Sequence, residues 1–250
     1  MEEVNVDDKI KQLQAEIESL KQKSGKVKPS LSLSQSQYSD VRVGTRKNGR
    51  SYSVRDNRDR YFFPSEWIKF FDGLKENQKM TFEFLINTGA RIKEAINVKV
   101  QDIDIPNKRL ILRVTKVKAA KKERAPRPRQ LSISSSFARR LNKYIKDKNL
   151  QDNDLLGLLK PSSAHDALKN GLVRAGIKDW YMFSLHNIRK THGNWLKALG
   201  IDGAEICTRL GHDYNTFLKA YGSSDVFTLR DKQDIRLILG DLYQQRVLGG

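Results

Sequence analysis

The spacing of apolar residues changes along this chain, and the change limits the folds that the chain can adopt. From Phe62 onward, apolar residues recur every three or four positions, as an amphipathic helix requires. Between Val98 and Ile133 they instead form short runs typical of strands, at 98–105, 110–114 and 130–133, with a turn at 106–108. We therefore predict a mainly α-helical domain that carries one small antiparallel β-sheet near its front.

Helical spacing accounts for the rest of this domain. The first helix is predicted to begin at Pro64 and the second to end at Thr88 and Gly89, since proline favours helix starts and glycine helix ends. After the strands, helices are predicted near 136–148, 163–175, 184–198, 203–210, 213–221 and 228–246. The main domain is expected to span 61–225, and 226–250 to form an amphipathic C-terminal helix.

Residues 1–22 show a different pattern. Their apolar residues alternate spacings of four and three, which is the seam of a short coiled coil: Val6, Ile10, Leu13, Ile17 and Leu20. An isolated helix of this length is marginal in water, so another apolar face has to cover the seam. We predict a coiled-coil helix that oligomerises; a helix docked on its own domain and a frayed tail remain alternatives.

Residues 23–60 are predicted to form a basic linker that contains a hairpin. The segment is rich in serine, and Asn48–Gly49 is a strong turn signal between two short runs of strand-forming residues. The positive side chains of the hairpin are Arg42, Arg46, Lys47, Arg50 and Arg55, and the first four are candidates for DNA contact. Such a hairpin suits contact with DNA, and a solvated loop is the alternative interpretation.

The charge of the chain points to a polyanionic partner. The 250 residues carry a formal net charge of +18, which favours a nucleic acid or an anionic membrane surface as partner. No run of about 18 apolar residues is present, so we expect no membrane-spanning helix. The acidic N-terminus does not resemble a secretory signal, and the single cysteine, Cys207, excludes a multi-cysteine metal site. These features favour an intracellular, cytoplasmic protein that binds nucleic acid.

A second basic segment, 116–129, lies between two predicted strands. It holds Lys116 and the DNA-contact candidates Lys118, Lys121, Lys122 and Arg124. A hairpin tip with this density of positive charge suits a phosphate backbone, although a charge run is also typical of a solvated loop.

Two further segments place basic side chains at predicted helix ends. Arg91 follows Gly89 at the start of a new helix, where a fixed guanidinium fork can bind two phosphate oxygens. His186 and Arg189 lie three residues apart and therefore share a helix face, which combines a group that moves protons near neutral pH with a permanent charge.

The last motif begins with the helix breaker Gly211. His212 follows directly, and Tyr221 comes nine residues after His212 on the next predicted helix. Each of these residues alone is weak evidence, because a lone tyrosine or arginine is more often structural than catalytic.

Together the motifs resemble the catalytic domain of the tyrosine recombinases, the phage-integrase type of site-specific recombinase. The resemblance rests on Thr88-Gly89-Ala90-Arg91 with Glu94, on His186-x-x-Arg189 with Trp195, and on Leu210-Gly211-His212 followed by Tyr221. It covers roughly residues 62–225. It implies the fold of that catalytic domain, here preceded by the short coiled-coil helix.

The resemblance implies a role for each residue. Tyr221 is expected to attack a DNA phosphodiester and form a 3′-phosphotyrosine link, while Arg91 and Arg189 hold the scissile phosphate. His212 is expected to hydrogen-bond the phosphate, and His186 to assist proton transfer from Tyr221. A hairpin lysine, by position Lys116 with Lys118 as second choice, is expected to protonate the leaving oxygen. The reaction needs no cofactor, metal or ATP.

The same resemblance implies partners. We expect the chain to bind a double-stranded attachment site as a homo-oligomer, from dimer to tetramer, with the C-terminal helix at 226–250 either packing on a neighbouring subunit or capping its own domain. Typical members carry a longer helical DNA-binding domain before the catalytic domain. The short form with a coiled coil is similar to integrases of archaeal viruses and plasmids, which would act inside the host cell.

Two alternative functions remain at this stage. Type IB topoisomerases use a similar set of residues, but normally carry a lysine at the position of His186 and act as monomers. A DNA-binding protein with an inactive site belongs to a different class, and the presence of a suitable residue at every expected position argues against it.

Overall fold

A computed structural model describes Arg42–Thr45, Ser51–Val54, 60–113, 128–215, 217 and 226–243. All of these residues belong to one compact unit, Arg42–Gly250. The predicted coiled coil at 1–22 lies outside the described residues.

The helices of the described part largely follow the sequence prediction. They are α1 (Pro64–Asp72), α2 (Glu76–Thr88), α3 (Ile92–Ala95), α4 (Ser135–Asp147), α5 (Pro161–Arg174), α6 (Leu185–Ala198), α7 (Gly203–Leu210) and α8 (Leu229–Leu239). Short 3₁₀ turns occupy Val100–Asp102 and Trp180–Met182. Of the predicted helix at 213–221, the described residues Tyr214, Asn215 and Phe217 are helical.

The strands form two separate antiparallel sheets. In the first, β1 (Arg42–Thr45) pairs with β2 (Ser51–Val54), as the hairpin signal predicts. In the second, the order is β3 (Ile103–Asp104), β4 (Arg109–Leu112) and β5 (Arg129–Ser132), with neighbouring strands antiparallel. Leu110, Leu112 and Leu131 point into the core from one face of this sheet, which confirms the prediction of a small antiparallel sheet in a mainly helical domain.

The strand predicted for 98–105 is wrong over its first half. Val98 and Val100 make backbone hydrogen bonds with Leu156 and Asp154, at 3.1 and 3.0 Å. The Asp102 carboxylate then accepts the backbone N–H of Lys99 at 3.1 Å and closes a 3₁₀ turn. Apolar alternation therefore reflects burial here, whereas the backbone partners lie in a distant loop.

The C-terminal helix is also shorter than predicted. It ends at Leu239, whereas the apolar pattern predicts a helix to residue 246. Gly240 adopts φ 69° and ψ −150°, a backbone conformation that is open essentially to glycine alone. The chain turns there, and the carboxylate of Asp241 accepts the backbone N–H of Ser135 at 2.6 Å.

Helix α6 is the central element of the domain. It packs against α2, α5, α7 and α8, and it is buried along most of its length. Its Trp195 donates its ring N–H to the carbonyl of Phe62 at 3.0 Å, and Thr191 accepts the N–H of Phe62 at 2.9 Å. These bonds satisfy polar groups that would otherwise be buried unpaired, and they fix the start of the domain against the helix that carries His186 and Arg189.

Candidate active site

The C-termini of two helices meet at the candidate site, and each is capped by a glycine in the left-handed conformation. Gly89 caps α2 with φ 64°, and Gly211 caps α7 with φ 63°. Residues with side chains adopt this conformation only at a cost in energy. The glycines therefore let the chain turn sharply, so that Arg91 and His212 follow directly after the two helix ends.

Arg189 joins these two ends. Its Nη1 donates to the carbonyl of Gly89 at 2.8 Å, and its Nη2 donates to the carbonyl of Leu210. Only 2% of the side chain is exposed. A buried guanidinium requires such partners, because an unpaired buried charge is strongly unfavourable. Arg189 thus fixes the ends of α2 and α7 relative to each other.

Arg91 stands at the boundary between the interior and solvent. It caps the N-terminus of α3, and its backbone N–H donates to Glu94 Oε2 at 2.9 Å. Its Nη1 donates to Glu94 Oε1 at 2.8 Å, while 46% of the side chain remains exposed. One edge of the guanidinium is therefore oriented by the protein, and the side chain is accessible to an anion.

Glu94 is a buried carboxylate surrounded by arginines. Besides Arg91, it accepts from Arg129 Nη2 at 2.8 Å, and Arg189 Nη1 lies 4.0 Å from its Oε2. Burial on its own would raise the pKa of Glu94. The hydrogen bond from the Arg91 backbone and the charge of Arg129 outweigh that effect and hold the pKa below its usual value. The single negative charge of Glu94 thus faces three guanidinium groups, so the site keeps a net positive charge.

The two histidines belong to the same electrostatic environment. His186 lies in the first turn of α6 with an exposed side chain, and His212 follows Gly211 and is half-buried. Loss of hydration lowers the pKa of both rings, and the charges of Arg189 and Arg91 lower both further. For His212, a hydrogen bond to the Asp213 carbonyl offsets part of this effect. These effects favour the neutral form of both imidazoles.

A buried network beneath the site fixes α7 to α2 and β5. Arg209 donates from Nε to His192 Nε2, from Nη1 to the carbonyl of Ser132 and from Nη2 to the carbonyl of Asn87, each at 2.9 Å. His192 Nδ1 lies 2.6 Å from the carbonyl of Ile86. Because a carbonyl can only accept, Nδ1 carries the proton and Nε2 receives the bond from Arg209.

The structure brings together four of the residues predicted from sequence: Arg91, His186, Arg189 and His212. Tyr221 and Lys116 lie outside the described residues, as do the DNA-contact candidates Arg46, Lys47, Arg50, Lys118, Lys121, Lys122 and Arg124. Arg42 lies in β1, where the backbone alone is described. The roles of these residues stay predictions.

Sequence reasoning missed Arg129, Arg209 and His192 as structural parts of the site. Arg129 was assigned to the basic hairpin tip, but it is the first residue of β5 and its side chain is only 11% exposed. A signal was available, because Arg129 and Leu131 share one face of the strand, and Leu131 is buried. An arginine in an inward position requires a buried acidic partner, and Glu94 provides it.

Two negative observations apply to the described ranges. Among them, no helix has both the length and the apolar composition needed to cross a bilayer. The histidine, cysteine and acidic side chains described there form no group of three or more that could hold a metal ion.

Comparison with solved structures shows what this fold resembles. The crystal structure of XerA recombinase matches with a TM-score of 0.56 and 19% identity over 75% of this chain and 65% of that chain. The Tn1549 transposon integrase in complex with transposon right end DNA matches with a TM-score of 0.54 and 14% identity, over 72% and 66%. The XerH site-specific recombinase bound to palindromic difH substrate, a post-cleavage complex, gives 0.51 and 16%, over 78% and 60%.

The sequence comparisons complete this picture. The chain spans less than two thirds of the length of each of the three structures described above. A search of curated proteins finds no match. The phage integrase family, by contrast, matches residues 65–226, which is more than half of the sequence. The chain therefore belongs to the phage integrase family, the tyrosine recombinases.

Proposed function

We propose that this protein is a site-specific DNA recombinase of the integrase type, which cleaves and rejoins DNA through a 3′-phosphotyrosine intermediate. The observation that carries the proposal is the convergence of Arg91, Arg189, His186 and His212 where α2 and α7 end. Glu94 holds Arg91, and the carbonyls of Gly89 and Leu210 hold Arg189. Such an arrangement suits a single phosphate group.

The arginines support the electrostatic part of the reaction. Attack on a phosphodiester places additional negative charge on the non-bridging oxygens in the transition state, and oriented guanidinium groups stabilise that charge. Arg189 is buried and held by two carbonyls, and Arg91 is held by Glu94. Because both are positioned before DNA binds, little reorganisation is needed during the reaction.

The histidines and lysine support the proton transfers. The Tyr221 hydroxyl has a reference pKa of about 10 and needs a base at neutral pH; we assign this role to His186. As the Tyr221 oxygen bonds to phosphorus, the bond from phosphorus to the 5′ oxygen breaks, and Lys116 supplies the proton to the leaving oxygen, with Lys118 as second choice. The negative charge of the bound phosphate favours the protonated form of His212, which donates a ring N–H to a non-bridging oxygen.

Rejoining reverses these steps with a 5′ hydroxyl from another strand. The phosphotyrosine bond replaces the phosphodiester at similar energy, so the proposed reaction requires neither ATP nor a metal ion. We assign DNA contact to the linker and hairpin of 23–60 and to the basic segment 116–129, and oligomerisation to the coiled coil at 1–22. Helix α8 packs on α1 and α6 of its own domain, so we assign subunit packing only to its exposed face, which carries Leu229 and Leu237. The proposed assembly is a dimer to tetramer on an attachment site.

A covalent trapping experiment tests the proposal. The protein is incubated in EDTA with a pool of nicked duplexes randomised around the nick, and adducts that survive SDS are isolated and sequenced. Loss of a short nicked fragment prevents rejoining, so the phosphotyrosine accumulates. We expect wild type to form an adduct on a selected sequence, and Tyr221→Phe to form none, since phenylalanine lacks the attacking oxygen.

Tyr214→Phe is the matched control. Tyr214 lies two residues after His212, is exposed and stacks on Phe217 with ring centroids 5.6 Å apart, so its hydroxyl is not assigned a role. We expect this variant to form the adduct at the wild-type rate. An adduct that persists in Tyr221→Phe, or one that EDTA abolishes, contradicts the proposed mechanism.

A further inference from the structure

Arg129 points into the site, where it pairs with Glu94. It is the first residue of β5, directly after the segment 116–128 that supplies the proposed DNA contacts and Lys116. Its Nη2 donates to Glu94 Oε2 at 2.8 Å, and its Nη1 lies 3.4 Å from Glu94 Oε1. With a side chain that is 11% exposed, Arg129 is poorly placed to contact a DNA backbone directly.

The same guanidinium also lies against the turn that carries His212. A methyl group placed on Gly211 would come within 2.4 Å of Arg129 Nη1 and 2.6 Å of its Cδ. Real Cβ atoms do not approach other atoms this closely, so the guanidinium lies directly on the Gly211 backbone. Arg129 therefore contacts both the carboxylate that orients Arg91 and the residue that precedes His212.

The charges around Glu94 indicate what Arg129 does in the site. Glu94 is buried, with 2% of its side chain exposed, and it bonds to Arg91 Nη1. Without Arg129, Glu94 would be balanced only by Arg91 and by Arg189 at 4.0 Å, and the carboxylate would cancel much of the positive charge that these two arginines present to a phosphate. Arg129 neutralises Glu94 from the interior side, so that Arg91 keeps its charge for DNA while Glu94 still fixes its geometry.

We propose that Arg129 is a positioning residue for DNA cleavage, which acts through Glu94 on Arg91 and through Gly211 on His212. This inference rests on the proposed function, because it assigns Arg129 to the same phosphate-binding site. It also links the β5 end of the basic segment to the site. Arg129, at the base of the proposed DNA-contacting loop, and Arg91, which is proposed to bind the phosphate, belong to one ion-pair network through Glu94.

The test compares two forms of the scissile linkage in a sequence selected by the trapping experiment. One duplex carries the normal phosphodiester, and the other carries a neutral methylphosphonate at the same position. Adduct formation is measured at saturating protein for wild type, Arg129→Gln and Arg129→Lys. A residue that acts on the charge of Arg91 matters most when the linkage is charged, whereas a general folding defect slows both substrates by the same factor.

Arg113→Gln is the matched control. Arg113 stands at the other end of the same basic segment, and it also pairs with a buried carboxylate, with Nη2 2.6 Å from Asp102 Oδ1. In the described part of the structure, none of the hydrogen bonds of Asp102 is to a residue assigned to the site. We expect Arg113→Gln to cleave both duplexes at wild-type rates.

We expect Arg129→Gln to slow adduct formation on the phosphodiester roughly 10–100-fold, the range typical of hydrogen-bond partners that orient metal ligands, and to slow it much less on the methylphosphonate. Arg129→Lys keeps the charge beside Glu94 and so preserves folding, but it lacks the planar fork; it should show an intermediate loss with the same dependence on substrate.

The failure of this inference is distinguishable from that of the proposed function. If wild type forms no adduct with Tyr221, the proposed function fails. If wild type reacts but Arg129→Gln matches it, or if the loss in either variant is equal on the two duplexes, Arg129 is not a positioning residue. Where Arg129→Gln fails to fold, as judged by its thermal unfolding, Arg129→Lys alone decides between these outcomes.

Discussion

Two of the four histidines in the chain lie on α6, and burial separates their behaviour. His186 is exposed at the site, whereas His192 is fully buried between the Ile86 carbonyl and Arg209. Burial, together with the neighbouring charge of Arg209, lowers the pKa of His192 well below its usual value. His192 therefore stays neutral in the folded protein over a pH range in which it would be protonated in the unfolded chain.

This difference predicts a dependence of stability on pH. Below about pH 6.5 the unfolded chain takes up a proton at His192 and the folded protein does not, so the free energy of unfolding falls as pH decreases, by up to about 1.4 kcal/mol per pH unit. The lowered pKa values of His186 and His212 act in the same direction. Urea unfolding between about pH 7.5 and pH 5.5 measures the effect.

His192→Gln is the variant that isolates the contribution of this residue. Glutamine cannot be protonated, so the slope of unfolding free energy against pH should decrease, whatever the variant does to stability at neutral pH. A wild-type free energy that stays constant over this range, or an unchanged slope in His192→Gln, would contradict the assignment.

The residues of the site fall into two groups, positioned either by local interactions or by contacts with residues distant in sequence. Arg91, His186, Arg189 and His212 are recognisable because each belongs to a short motif at a helix end, and helix ends are encoded locally by glycine and by apolar spacing. Arg129 and Arg209 depend on partners far away in sequence, Glu94 and His192. Strand alternation indicates that Arg129 faces inward, but local pattern does not identify either partner, so the sequence alone does not assign Arg129 or Arg209 to the site.

At the scale of elements, the sequence predicts the existence and type of helices and strands better than it predicts their boundaries. Helices α1, α2 and α4 to α7 lie close to their predicted positions, because each combines apolar periodicity with a local stop or start. The two errors, at 98–102 and after Leu239, occur where a tertiary contact or a single glycine conformation overrides the apolar pattern. At 98–102 the apolar residues Val98 and Val100 are buried or half-buried, although the backbone follows a different path.

The turn after α2 provides a test at this scale. Gly89 has φ 64°, and a methyl group there would come within 2.6 Å of Leu210 Cδ2 and 2.7 Å of His192 Cδ2. Gly89→Ala should therefore lower the free energy of unfolding, by about 1–2 kcal/mol for the strained backbone and by a further 1–3 kcal/mol or so for overpacking. The free energy of unfolding, measured with urea, reports the sum.

Gly176→Ala separates the two contributions. Gly176 has a similar φ of 70°, but no atom lies within 4 Å of the position that its methyl group would take. This variant should show the backbone strain alone and be clearly more stable than Gly89→Ala. Equal losses in the two variants would show that the close packing of Gly89 against α6 and α7 is unimportant.

At the scale of the whole molecule, charge governs the proposed interaction with DNA. The net charge of +18 predicts that binding releases many counter-ions, so affinity should fall steeply with salt, by roughly 10³-fold or more between about 50 and 200 mM when six or more phosphates are contacted. Fluorescence anisotropy with a labelled duplex measures the slope. A flat dependence on salt would contradict the proposed basic interface.

A charge-matched pair of variants locates the interface. Replacing Lys118, Lys121, Lys122 and Arg124 with glutamine should reduce the salt slope, because these residues are proposed to neutralise phosphates. Replacing the exposed residues Arg139, Lys143, Lys146 and Lys148, on and just after α4, removes the same charge from another surface and should change the slope less. The opposite order would place the DNA on the α4 side of the domain.

The position of Arg189 has a consequence for when the candidate site can form. Its two carbonyl partners lie 100 residues before it and 21 residues after it, so the phosphate-binding geometry exists only once distant parts of the chain have come together. A chain that is still folding already carries its positive charge but lacks the assembled site. Under the proposed function, DNA cleavage therefore has to wait for long-range folding.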